Sequence, residues 1–284
     1  MRLGYTVMTL STFLVDTVRL TIWLVILALA FAPIERLFAP KNQTKRKGLL
    51  ADIGYFYLNG LTPALIMATP LALLSAMMRA ITPDAYTNAI AAAPLWLTIP
   101  TGLLVAELGS YFIHRWCHHS RYLWQFHAVH HTPDHIDWLV NTRAHPIDIV
   151  ITRLGGLAPL YVLGLDKTGG QAGMVPVIIT LIGTFWSFLV HANVQWRFGW
   201  LEQVIASPAF HHWHHTNDEH RDRNFAATFP LIDRLFGTLH LPDHYPPVYG
   251  IDEPVKPTIH DQLVRPFMPA GRLGARHDEI DQSS

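Results

Sequence analysis

A helix needs about twenty consecutive, mostly apolar residues to cross a bilayer, and this chain of 284 residues carries several such stretches. Residues 13–32 read as a first spanning helix. Leu49–Met78 is too long for one straight span, and Pro63 and Pro70 within it imply a tilt or kink. Leu95–Ile113 forms a third. Residues 147–165 and 172–194, with a turn at Asp166–Gly170, read as a helical hairpin that either crosses fully or enters partway. Half the residues are hydrophobic and only 15% are charged, against about 25% charged in a soluble domain. The expected fold class is therefore all-α: a polytopic membrane protein with about four transmembrane helices.

Charge gives these spans an orientation. Between the first two lie Arg36, Lys41, Lys45, Arg46 and Lys47, and a basic loop beside a span marks the cytoplasmic side. The Arg79–Pro94 loop is poor in positive charge and is expected outside. Counting spans from the basic loop places the ends of the third span and of the hairpin back on the cytoplasmic side. Arg2 is a weak basic region with no clear cleavage site after the following apolar stretch, so that stretch is expected to remain as a span. Lys plus Arg and Asp plus Glu both number 21, so no net field favours nucleic acid. The single cysteine, Cys117, excludes an internal disulfide and a thiolate zinc site. Three regions are expected: an N-terminal transmembrane region (1–94), a catalytic region (95–240) and a C-terminal tail (241–284) rich in Pro, Gly and charge.

Histidine is the outlier, with 18 copies. Fourteen fall within His114–His145 and His191–His220, both on the side set by the basic loop. His114 and His118 are four apart, which puts both rings on one helix face. His127, His130 and His131 share a face, with Thr132-Pro133-Asp134 ending their helix. His211, His214 and His215 repeat that pattern after Ser207-Pro208, a good helix start. Neutral imidazole suits first-row transition metals, and a His-rich, Cys-poor set fits iron or zinc. Eight histidines exceed the needs of one ion and suit two. His145 and His191 would bring the set to ten. His119, His135, His212 and His220 are read as non-ligands, and His240, His244, His260 and His277 as ordinary tail residues. Asp134, Asp137, Asp148, Asp218 and Asp222 lie near enough to orient the rings, although each reads equally as a cap or a surface charge. Glu107, seven residues before His114 inside an apolar span, is expected either to support the site or to bond a neighbouring helix. The tryptophans from Trp116 to Trp213 read as interface anchors. Adjacent pairs such as His130-His131 argue against a bis-histidine haem protein, and ligands placed after the spans argue against a metal transporter.

These three boxes, in this order, resemble those of the fatty acid hydroxylase and sterol desaturase superfamily. Leu123-Trp124-Gln125-Phe126, Thr142-Arg143-Ala144-His145-Pro146, Asn224-Phe225 and Asp233-Arg234-Leu235-Phe236-Gly237-Thr238 extend the resemblance, which covers roughly residues 95–240. It implies a membrane enzyme with two iron ions, replaceable by zinc in purified protein, held in a cytoplasmic helical cap. Such an enzyme uses O2 to hydroxylate an unactivated C–H bond of a lipid or sterol-like substrate, or to desaturate it. Carried over by position, the metal ligands are His114, His118, His127, His130, His131, His211, His214 and His215, with His191 as a further one. Many members have another histidine shortly after that last position, where this chain has Val194 and Gln195. Either His145 takes the tenth place or one ion has fewer ligands. No His-Pro-Gly-Gly haem motif is present, so electrons are expected from a separate protein. A bacterial inner membrane is the expected location.

Overall fold

The computed structural model describes residues 10–40, 46–166, 174–253 and 258–268. Four helices in it are long and apolar enough to cross a membrane: α1 (Leu10–Phe38), α2 (Leu49–Ile81), α4 (Leu95–His119) and α7 (Met174–His191). Their outer faces carry exposed aliphatic side chains such as Val18, Ile22 and Leu29 on α1 and Leu65 and Leu73 on α2, as a lipid-facing surface requires. Among the described residues there is no strand, only an isolated bridge between Thr216 and Tyr249.

Three boundaries differ from expectation. α1 runs past Pro33 to Phe38, because its last turn is held by the cap: the Glu35 carboxylate accepts the backbone N–H groups of Trp138 at 2.7 Å and Asn193 at 2.8 Å. The loop after α2 is partly helical, as α3 (Asp84–Ala92). Of the expected hairpin, α6 (Pro146–Val162) has 17 residues, or about 25 Å at 1.5 Å per residue, short of a hydrocarbon core of about 30 Å. Lys41, Lys45, most of the Asp166–Gly170 turn and the tail beyond residue 268 lie outside the described residues.

α6 packs against both α2 and α4, and small residues bring it close to α4. A Cβ built on Gly109 would lie 2.2 Å from the Gly155 carbonyl oxygen, and one on Gly156 would lie 2.6 Å from Ser110 Oγ. Only residues without bulk allow backbones this close. Beyond the spans, the chain folds as short helices: α5 (Arg121–His131), α8 (Pro208–His214), α9 (Pro230–Leu235) and α10 (Ile259–Val264). Ser120 caps α5 by accepting from Leu123 N–H, and Ser207 caps α8 by accepting from Phe210 N–H, with Pro208 in the first turn as its sequence suggests. Arg46 pairs with Asp137, and Lys47 lies 2.7 Å from Asp134. The basic loop thus meets the segment that follows the second histidine box, at the same end of the molecule.

Candidate metal centre

The three histidine boxes and His191 converge in two adjoining clusters. One consists of His114 and His118 from α4, His127 and His131 from α5, and His214 from α8; the other of His130, His191, His211 and His215. Within each, one ring nitrogen per residue lies within 4.8 Å of the others. The rings of His131 and His215 are 4.5 Å apart between centroids, so the clusters share a wall. The i, i+3, i+4 spacing does what helical geometry allows: His127 and His131 face one cluster while His130, between them on α5, faces the other.

Hydrogen bonds behind the rings fix which nitrogen faces inward. The Nδ1–H of His114 donates to the Phe225 carbonyl (2.7 Å), that of His130 to Arg143 (3.0 Å), that of His191 to Ser187 (2.7 Å) and that of His214 to Arg223 (2.9 Å). His127 and His118 donate instead to carboxylates, Asp148 and Asp222, each at 3.0 Å. A carbonyl or carboxylate only accepts, so each of these Nδ1 atoms carries the proton and each Nε2 presents a lone pair. Yet Nε2 of His114 lies 3.1 Å from Nε2 of His127, and Nε2 of His191 lies 3.2 Å from that of His130. Two lone pairs cannot hydrogen-bond each other; they can share a cation. Nitrogens both about 2.1 Å from one ion lie roughly 3–3.5 Å apart, which is the spacing found. The buried Nε2 atoms of His118 and His214 have no hydrogen-bond partner among the described residues. This donor set fits transition-metal ions.

Electrostatics agrees. Burial, together with neighbouring His127, pushes the His130 imidazole down to about 4. Burial and adjacent imidazoles hold His131, His211, His214 and His215 well below the usual histidine range. All five are neutral near pH 7, the form that binds metal.

His145 stands outside both clusters. Its Nδ1 accepts from Ile147 N–H at 3.2 Å as the cap of α6, and Phe126 and Phe267 pack near its ring. The clusters hold five and four histidines. Glu107 also belongs to neither. It is buried and accepts from Thr228 N–H (2.6 Å) and Phe229 N–H (3.4 Å), anchoring the segment whose Phe225 carbonyl orients His114. Of the five nearby aspartates, only Asp148 and Asp222 back a clustered ring. Asp137 caps the turn Trp138–Thr142, Asp218 accepts from His220 N–H, and Asp134 bonds Lys47 and His135. His212 lies beside the clusters but spends its nitrogens on Tyr249 Oη and the Ala192 carbonyl.

Sequence reasoning missed the contribution of α1 and α2. Asp52 takes Arg143 in a two-point ion pair (Nε–Oδ1 2.6 Å, Nη2–Oδ2 2.9 Å). Asn59, one α2 face two turns on, donates to the carbonyls of Thr142 (3.1 Å) and Ala144 (2.9 Å). Together they clamp the backbone whose Arg143 carbonyl orients His130. The only signal was a pair of polar residues seven apart in an apolar helix.

A family profile described as fatty acid hydroxylase matches residues 99–238, which include every clustered histidine. An ornithine lipid hydroxylase of Rhizobium tropici is 32% identical over 195 residues, 66% of this chain and 56% of that protein. An alkylglycerol monooxygenase of Danio rerio is 27% identical over 158 residues, 54% of this chain and 32% of its own length. A Delta(7)-sterol 5(6)-desaturase of Aspergillus fumigatus is 25% identical over 193 residues, 59% and 53% of the two chains. This chain thus spans 32% to 56% of the length of these three relatives. No solved structure matches it.

Proposed function

This chain belongs to the fatty acid hydroxylase family, and from that premise we propose that it is a membrane oxidoreductase that hydroxylates a lipid or sterol-like molecule with O2. The observation that carries the reading is the pair of adjoining clusters whose inward nitrogens face one another as lone pairs. Two iron ions held there, the first by His114, His118, His127, His131 and His214 and the second by His130, His191, His211 and His215, would supply the oxidising power to attack an unactivated C–H bond. Zinc fits the same donors and would fill them in protein purified without iron.

The chain's own part is to hold, orient and shield. Asp148 and Asp222 accept the Nδ1 protons of His127 and His118, which fixes the tautomer and raises the basicity of the inward nitrogen. Carbonyls of Phe225, Arg143, Ser187 and Arg223 do the same for four other rings without adding charge. Tyr111, Val190, Phe210 and Phe225 form a buried apolar cluster beside the site and keep water away. No side-chain acid–base pair is required. Electrons come from a separate protein. The paired basic residues Arg46 and Lys47 at the metal-bearing end support a cytoplasmic site, and the similarity to a Rhizobium protein supports a bacterial inner membrane. Desaturation by the same site is a second reading, favoured by the similarity to a sterol desaturase.

Mass analysis of lipid extracts from cells expressing the chain or its His127→Ala variant tests this. A lipid that gains one oxygen only with the unaltered chain establishes hydroxylation; one that loses two hydrogens establishes the second reading. Identical extracts with both chains contradict the two readings together.

A further inference from the structure

α6 and α7 both pack on α4 and run in opposite directions. At the end far from the metal clusters the three helices close on one another: Leu160 of α6, Ala106 of α4, and Val175 and Ile179 of α7 form one buried cluster, with Leu157 packed against it. One turn toward the metal end, the α7 face is unfilled. On α7, Gly183 continues the Val175–Ile179 face by one turn, and a Cβ placed on it would meet nothing within 4 Å. On α6, the residue one turn below Leu157 on the same face is Arg153, and it is exposed.

Arg153 is unusual in its place. It is the eighth residue of a helix packed between two spans. It makes no hydrogen bond or ion pair with any described residue. Its side chain stays accessible on that face. An unpaired cation among apolar helices is costly and calls for an anion. It also lies five residues from Asp148, about 7.5 Å along the helix, and Asp148 bonds His127 of the five-histidine cluster.

We propose that the cleft below the Leu160–Ile179 closure binds the anionic headgroup, a phosphate diester or carboxylate, of a bilayer lipid on the Arg153 guanidinium. A guanidinium pairs both anions in a two-point fork, and its position beside the centre brings bonds near the headgroup, rather than the far end of an acyl chain, to the metals. This identification of the lipid as substrate rests on the oxygenase reading above; the binding site does not.

The test is competitive retention of dioleoyl phosphatidylglycerol against uncharged dioleoylglycerol by the full chain in detergent, read by native mass spectrometry, with metal content measured on the same samples. The unaltered chain is expected to prefer the anionic lipid by about tenfold, the worth of one charge-assisted bond. Arg153→Gln should abolish that preference, Arg153→Lys should keep part of it, and Gly183→Leu should lower retention by filling the cleft. Unchanged preference in Arg153→Gln overturns the proposal. Should Arg153→Gln not fold, unaltered retention of the anionic lipid by Gly183→Leu overturns it instead. Displacement of the lipid by inorganic phosphate overturns the assignment to a lipid. Preference that depends on Arg153 in a chain without metal upholds the site and removes the oxygenase reading alone.

Discussion

Asp148 is buried and touches His127 at 3.0 Å, so its charge acts on that ring through little intervening solvent. Asp148→Asn is expected to weaken metal binding at the five-histidine cluster by about ten- to a hundredfold, measured by competition with a chelator, whereas Asp218→Asn should leave it unchanged because Asp218 only caps a turn. The clustered histidines were legible in the sequence because helical periodicity is a local property: residues three and four apart share a face wherever the helix goes. The backing groups were not legible. Asp222 is 104 residues from His118, and nearness along the chain offered five aspartates without ranking them. His145 reads as a ligand by its motif, yet the structure places it at the N-terminus of α6 as a cap, outside both clusters. Glu107 was visible as a carboxylate in an apolar span; its partners, two backbone N–H groups after the last box, were not.

At the scale of elements, the irregular segment between α5 and α6 carries the site's precision. Beyond its own short turn, it is held from outside, by Glu35 of α1 and by Asp52 and Asn59 of α2. Removing Asp52 leaves the buried Arg143 guanidinium without its carboxylate, a loss of about 3–5 kcal/mol for a broken buried pair. Asp52→Ala should therefore lower the thermal midpoint and release metal first from the four-histidine cluster, since His130 hangs on the Arg143 carbonyl; metal content followed during heating checks the order. Equal release from both clusters would mean that Arg143 does not govern His130. The sequence showed α1 and α2 as spans and nothing more, because a polar residue facing inward and one facing lipid look alike without the neighbouring helices.

Across the whole molecule, the four spans and the common end of the basic loop and histidine boxes follow from hydropathy and charge alone, both of which act residue by residue. What needed coordinates was depth and closure: the shortness of α6, the Gly-lined contact that brings α4 and α6 together, and the division of nine histidines into sets of five and four. That division is the central claim, and metal content per chain tests it most directly. Protein purified under reducing, iron-replete conditions should hold two transition-metal ions per chain, one for each cluster. His214→Ala and His130→Ala should each weaken one of them, and the double variant should lose both. A chain that holds no stoichiometric metal, or holds haem in its place, would contradict the account.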